Sequence, residues 1–155
     1  YGKDEHNPFS LHLFDGDDPT DRTVFYGTQD GYLLNESTSA KDDDGTAIDS
    51  YVMIGPIQME EQIPIILNEL SAVLGTDSSE VTVTVHRGSS AESAKAAAAS
   101  LTGTFQSGNN RSIRRRLNGH APYVKVRNNK ANQTWALERI SARIQATSEQ
   151  WSRRF

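Results

Sequence analysis

Histidines are the residues of this sequence best suited to metal binding and acid–base catalysis, and the chain contains four of them. His6, His12, His86 and His120 are scattered, and no HExxH pattern brings two of them onto one helical turn. Cysteine is absent, which excludes thiolate metal sites and disulfides. Neither a GxSxG nucleophile elbow nor a GxGxxG phosphate loop occurs. The sequence therefore predicts a protein that is not an enzyme and that has no metal or other cofactor.

Aspartates cluster in the segment DGDDPTDR, residues 15–22, and such clusters can bind calcium. An EF-hand loop that began at Asp15 would need glycine at its sixth position and glutamate at its twelfth. Those positions hold Thr20 and Tyr26. We therefore interpret the segment as a solvated turn.

Arginines are concentrated in the second half of the chain, where they can pair with carboxylates of a protein partner or with phosphates of nucleic acid. In RSIRRRL, Arg114 and Arg116 share one face of a strand and Arg115 points the opposite way, so one strand cannot present a single stripe. We predict a subunit or partner interface, with non-specific contact to passing DNA as a further use of the arginines. The predicted interface residues are Arg111, Arg114, Arg115, Arg116, Arg127, Arg139, Arg143, Asp42, Asp43 and Asp44.

Charge is divided unevenly along the chain, although the formal net charge is only -4. Residues 1–80 hold 17 Asp or Glu against 3 Lys or Arg, whereas residues 81–155 hold 3 against 13. Such a division has two interpretations. The acidic loops partly neutralise the arginines within one molecule, or the acidic part of one copy meets the basic part of the next and closes a ring.

Three strand candidates carry the arginines. Val124 and Val126 alternate with polar residues over 123–127, residues 135–144 alternate in the same way, and 111–117 forms a third candidate. The polar run NNKANQ separates the first two, and its asparagines suit a turn. These observations predict a three-stranded antiparallel sheet with arginines on one face.

Patterning elsewhere predicts strands over 10–14, 23–26, 32–34, 48–54 and 81–85, with a turn at Asp30-Gly31. The segment SSAESAKAAAASL predicts a helix that is capped by Ser89 or Ser90 and stops near Gly103. Residues 57–75 fit both a helix and a buried strand.

The predicted fold class is mainly β, an antiparallel sandwich-like module of about seven or eight strands with one short helix. Residues 1–22 form a lead-in segment and first strand, and residues 23–155 form a single β-rich module.

No apolar run approaches the roughly 18 residues that a membrane span needs, so we predict no membrane insertion. The chain begins at Tyr1 rather than Met, which suggests a processed product or a fragment of a longer protein.

The succession YGTQDGYLL, KDDDGTAIDSYVMIGP and VTVTVHRGSSAESA, followed by residues 103–144 and a closing SRRF, resembles the carboxyl-terminal part of bacteriophage tail proteins of the nozzle or hub kind. In those proteins a G-x-x-D-G segment finishes a β-propeller blade, and a terminal β-rich module follows. The similarity covers most of residues 23–155 and favours a strand over residues 57–75. The matching residues are Gly27, Asp30, Gly31, Asp43, Asp44, Gly45, Ile48, Tyr123, Val124, Arg127, Trp135, Ile140, Arg153 and Arg154.

The resemblance implies a structural virion protein, located in the tail, that forms a homo-oligomeric ring or connector around the DNA exit channel and attaches to other phage tail proteins. It implies neither catalytic residues nor a cofactor. A full propeller needs several more blades than 155 residues can hold, so the chain corresponds to the end of a longer polypeptide or to a relative without the propeller. The alternative from another class is a carbohydrate-binding β-sandwich used in host attachment, with ligand contacts from the polar loops at 15–22 and 128–133. Trp135 alternates with apolar neighbours, which favours a core position over a ligand platform.

Overall fold

A computed structural model describes residues 9–37, 39–43, 45–58, 63–110 and 113–147. Over these residues the protein is mainly β, with 11 strands in antiparallel sheets and one short α-helix. The predicted fold class is therefore confirmed, although the strands outnumber the seven or eight expected. The chain forms two compact units, Tyr1–Ala40 and Lys41–Phe155.

The first unit is a three-stranded antiparallel sheet in the order β1-β2-β3. Its elements are β1 (Ser10–Phe14), a 3-10 turn (Pro19–Asp21), β2 (Thr23–Gly27) and β3 (Leu33–Asn35). The predicted hairpin between β2 and β3 is confirmed: the Thr28 amide donates to the Tyr32 carbonyl oxygen, and Gly31 supplies the left-handed φ of +85° that the turn requires. Strand β1 pairs with β2 across the boundary predicted after residue 22.

The second unit contains two sheets. Four strands form the first sheet in the order β4-β10-β6-β7, and β5 lies at the centre of the second, between β11 on one side and β8 and β9 on the other. The elements are β4 (Ser50–Ile54), β5 (Ile65–Leu74), β6 (Val81–His86), α1 (Ala91–Ala96), β7 (Ala99–Phe105), β8 (Gly108–Asn109), β9 (Ile113–Gly119), β10 (Tyr123–Asn128) and β11 (Leu137–Ala146). The strands predicted from alternation are present, with ends that differ by no more than two residues.

One hydrophobic core joins the two sheets of the second unit. Val83 and Val126 from the first sheet and Leu70 and Leu74 from the second are each at most 1% exposed and belong to the same buried cluster. Burying a side chain of this size stabilises the fold by about 1.5–3 kcal/mol. Because both sheets contribute to one cluster, they pack face to face as a sandwich.

Residues 65–74 form strand β5, as the resemblance favoured. The ambiguity with a helix has a structural cause. Leu67 and Leu70 are three residues apart and both buried, because the pairing shifts between Leu67 and Glu69 and leaves Asn68 as an irregularity. A strand that contains such a shift has apolar residues at a spacing otherwise typical of a helix.

The predicted sheet of three arginine-bearing strands is wrong. Strand β10 pairs with β4 and β6, whereas β9 and β11 pair with opposite edges of β5 in the other sheet. The NNKANQ run therefore leads from one sheet to the other instead of closing a hairpin. Alternation identifies a strand but contains no information about its partner, and here the paired residues lie 37 or more positions apart in the chain.

The predicted helix is shorter than expected. It begins after Ser90, whose side chain accepts from the Ser93 amide in a reciprocal capping box, so that cap is confirmed. It ends at Ala96, and the following alanine-rich residues form β7 instead of continuing to Gly103. Pairing with β6 explains the difference, because it places Phe105 opposite Val81 in the core, and this burial outweighs the high helix propensity of alanine.

Candidate functional site

Three arginines and one glutamate share the outer surface of the β9-β5-β11 sheet. Glu69 on β5 is paired in register with Arg114 on β9 and with Arg143 on β11, so the three side chains form a line across the sheet. Arg139 is opposite Val73, four residues from Glu69, and alternation puts it on the same side. We call the surface formed by Glu69, Arg114, Arg139 and Arg143 the arginine face.

The opposite side of the same strands holds the arginine face in place. Ile140 and Ile144 on β11 and Ile113 on β9 pack against the hydrophobic core. Ile113 and Leu117 both lie on the core side, as predicted. Because inward residues alternate with outward ones, the guanidinium groups project into solvent from a packed sheet rather than from a loop. The arginine face is consequently a rigid platform.

Within the arginine face, Glu69 only weakly neutralises its neighbours. The Arg114 Nε lies 4.0 Å from the Glu69 Oε2, and the Arg114 side chain is 79% exposed. An exposed pair at this distance contributes between 0 and about 1 kcal/mol. Among the described residues, Arg139 and Arg143 have no carboxylate within ion-pair distance. The face therefore has positive charge available for a partner.

Two other predicted interface residues lie on β9 beside this face, and two lie outside the described ranges. Arg115 and Arg116 are exposed and lie opposite the irregular pairing at Asn68, which interrupts the simple alternation expected for the run. Arg111 and Asp44 lie outside the described residues.

Arg127 does not belong to the arginine face. It lies on β10 in the other sheet, where its guanidinium donates to both carboxylate oxygens of Asp49, from Nε over 2.6 Å and from Nη2 over 3.0 Å. That bidentate hydrogen bonding holds the pKa of Asp49 below its ordinary value. Arg127 is thus engaged within the molecule, and its predicted place on a sheet with the other arginines is wrong.

Asp42 and Asp43 form a tight turn rather than an open acidic patch. The Asp42 Oδ1 accepts from the Gly45 amide over 3.1 Å, and the backbones of Asp43 and Thr46 exchange two hydrogen bonds. Both aspartates are half-buried. This geometry is that of an Asx-type turn, in which the side chain substitutes for a backbone acceptor.

Ion pairs within one molecule neutralise part of the opposite charge of the acidic first half and the basic second half of the sequence. Among the residues that the structure describes, three ion pairs join a carboxylate from residues 1–80 to a cation from residues 81–155. They are Asp49 with Arg127, Glu69 with Arg114, and Glu80 with Lys130. The sequence contained no signal for these carboxylates as partners, because each is at least 45 residues from its cation and each pair depends on which strands become neighbours.

His86, on β6, is engaged in hydrogen bonds within the second unit. His86 is held between the Ala97 carbonyl oxygen, 2.7 Å from Nδ1, and the Thr84 hydroxyl, 2.9 Å from Nε2. His12 is exposed on β1, and His6 lies outside the described residues. Over the described ranges, no three His, Asp or Glu residues are grouped as a metal site would require. No helix in that part of the chain is long and apolar enough to cross a membrane.

Two of the side chains that a carbohydrate-binding function could use, those of Trp135 and Asn128, have internal partners. Trp135 packs against the core and donates from Nε1 to the Ser50 hydroxyl over 2.8 Å, as the favoured core position predicts. In the 128–133 loop, the Asn128 amide group donates to the Glu80 carbonyl oxygen and to Gln133. These groups hold the loop in position and are not available as an open sugar platform.

No protein-family model matches this chain. No curated protein is significantly similar to it.

Proposed function

We propose that this chain is a structural component of a bacteriophage tail, which forms a homo-oligomeric ring or connector around the DNA exit channel and docks to neighbouring tail proteins. The observation that carries the docking role is the arginine face, in which three arginines lie around one glutamate on the exposed side of a packed sheet. The location in a phage tail rests on the succession of sequence segments that resembles tail nozzle and hub proteins.

Docking to protein carboxylates suits this face better than docking to a nucleic acid backbone. Arginine pairs with a carboxylate through two parallel hydrogen bonds, and the strands fix the positions from which the arginine side chains extend. The Glu69 carboxylate, in the middle of the line between Arg114 and Arg143, repels phosphates that approach both arginines. A protein surface can place carboxylates beside the arginines and a neutral or positive group beside Glu69.

Two measurements on the purified protein test the assembly part of the proposal. Mass photometry should show a discrete oligomer that increases with protein concentration, and negative-stain electron microscopy of that species should show a ring with a central opening. A monomer at every concentration would contradict the ring.

The location is tested on phage particles. Gold-labelled antibodies against the purified protein should bind at the tail, at the position of the exit channel. Labelling of the capsid shell alone would contradict the proposal, and specific retention of the monomeric protein on a glycan array would favour a carbohydrate-binding function instead.

A further inference from the structure

The 15–22 segment of the first unit, which we call the acidic loop, has a defined shape. Asp18 Oδ1 accepts from the Thr20 amide over 2.9 Å and from the Thr20 hydroxyl over 2.8 Å, which caps the 3-10 turn. Arg22 Nε lies 2.8 Å from Asp15 Oδ1, so a charged hydrogen bond joins the two ends of the loop. A loop that is already ordered loses less conformational entropy when it binds.

Two carboxylates of the acidic loop make none of the side-chain hydrogen bonds that order it. Asp17 and Asp21 are exposed, and neither has an ion-pair partner among the described residues. Phe14, which precedes the loop, is 44% exposed and adds apolar surface beside these carboxylates. Arginine stems pack well on such a surface while their guanidinium groups reach the carboxylates.

We propose that the acidic loop of one copy docks on the arginine face of a second copy. The partner is thus a second copy of this chain, and the inference rests on the proposed function, in which copies assemble into a ring. A contact between two different surfaces is head-to-tail, and repetition of such a contact closes a ring when the rotation between copies allows it.

The charge and the size of the two surfaces support a second copy of the chain as the partner. The acidic loop has four carboxylates and one arginine, and the arginine face has three arginines and one glutamate, so the surfaces are complementary in sign. Two strand spacings separate Arg114 from Arg143, about 10 Å, and four strand residues separate Arg139 from Arg143, about 13 Å. A loop of eight residues matches an area of that size, whereas an extended nucleic acid would run beyond it.

Charge exchange tests the inference. Asp17→Lys with Asp21→Lys makes the loop basic while keeping Asp15, Asp18 and Arg22, which determine its shape. Arg139→Glu with Arg143→Glu makes the face acidic. Each double variant alone should lose the oligomer, with at least about tenfold weaker assembly, because like charges then face each other. An equimolar mixture should restore assembly, because every contact between unlike copies again joins opposite charges.

Matched variants separate this contact from general charge effects. Asp30→Lys with Glu36→Lys changes the net charge as the loop variant does, and Lys41→Glu with Lys95→Glu changes it as the face variant does; all four residues are exposed and lie outside the two surfaces. Both control variants should assemble as the wild type does. Circular dichroism would establish that every variant is folded. If a charge-exchange variant is unfolded, the wild type still provides a test, because its oligomer should dissociate as NaCl rises from about 50 to about 500 mM.

The outcomes distinguish the inference from the proposed function. Oligomers that persist in either charge-exchange variant, a mixture that fails to reassemble, or wild-type assembly that is insensitive to salt would overturn this contact and leave the ring itself standing. A wild-type protein that is monomeric would contradict the proposed ring. Arginine-dependent binding of duplex DNA by that monomer would instead assign the arginine face to nucleic acid.

Discussion

Arg127 and Asp49 are 78 residues apart in the chain and are joined by two hydrogen bonds, which tie the segment before β4 to the neighbouring strand β10. Both side chains are nearly half exposed, so the contribution of the pair is modest. Arg127→Lys, which keeps the charge and loses the paired geometry, should lower the free energy of unfolding by up to about 1 kcal/mol in urea denaturation at pH 7. An unchanged midpoint would show that the contact contributes nothing.

Acid should destabilise the protein partly through two carboxylates. Hydrogen bonds from Arg127 hold the pKa of Asp49 below its ordinary value, and hydrogen bonds from Gln106 and Lys130 do the same for the pKa of Glu80. A carboxylate whose pKa is lower in the folded state than in the unfolded state stabilises the fold at pH values above its unfolded-state pKa of about 4. This stabilisation is lost as the pH falls from about 5 through the lowered pKa.

The variant Asp49→Asn checks the sign of this effect. Its free energy of unfolding, measured in urea from pH 7 to pH 3, should fall less steeply on the acid side than that of the wild type. Asp77→Asn is the control, since Asp77 is an exposed turn residue of the same unit with no ion pair to a described residue. A slope for Asp49→Asn equal to that of the wild type would contradict the role of the Arg127 contact.

Asn128 is a buried polar residue that connects three segments. It is 4% exposed, and its side chain bonds the Glu80 carbonyl oxygen over 2.9 Å, the Gln133 side chain over 2.7 Å and the Lys130 amide over 2.9 Å. Asn128→Ala leaves buried polar groups without partners and should cost about 1–3 kcal/mol. Thermal and urea unfolding would measure this cost, with the exposed neighbour Asn129→Ala as the control. Equal stability of the two variants would contradict the structural role.

The sequence predicts the strands well, but it predicts the partner of a strand only for the β2-β3 hairpin, where the Asp30-Gly31 turn is a local signal. Alternation located β6 and β10 because each buries one face, and that pattern is a local property of the chain. Partner choice depends on the whole core, so the sequence joined β10 to β11 where the structure joins β11 to β5. In the same way, the alanine-rich segment predicts a helix where β7 begins. The pairing of β7 with β6 forms only in the folded chain and has no local signal in the sequence.

The candidate site shows the same contrast between residues that the sequence predicts and neighbours that it does not. Arg114, Arg139 and Arg143 are predicted interface residues from their type and position, and the structure places them on one face although the predicted sheet is wrong. The reason is that β9 and β11 both pair with β5, in registers that align Arg114 and Arg143 with one residue. Glu69 was missed because its segment remained undecided between helix and strand. Arg127 was assigned to the same surface because alternation cannot tell which of two sheets a strand joins.

Substitutions at the centre of the hydrophobic core should lower the free energy of unfolding strongly, whereas substitutions at exposed positions should change it little. Leu70 is 1% exposed in the cluster shared by both sheets, and truncation there removes transfer free energy and leaves a cavity. Leu70→Ala should lower the free energy of unfolding by about 2–5 kcal/mol. Ile48→Ala is the matched control in the same unit, because Ile48 is 53% exposed, and it should change stability by less than about 0.5 kcal/mol. A small effect at Leu70 would contradict the face-to-face packing of the two sheets.

Glu69 sets the balance of charge on the arginine face, and its removal should change what the face binds. In Glu69→Gln, the carboxylate between Arg114 and Arg143 becomes a neutral amide, so repulsion of phosphate and sulfate groups is removed while the pairing of the strands is retained. The variant should elute from heparin at higher salt than the wild type. Glu92→Gln is the control, because it makes the same change of charge at an exposed position of α1. If the two variants elute together, only net charge matters, and Glu69 has no special place on the arginine face. If Glu69→Gln alone binds heparin more tightly, this carboxylate weakens the binding of polyanions to the arginine face.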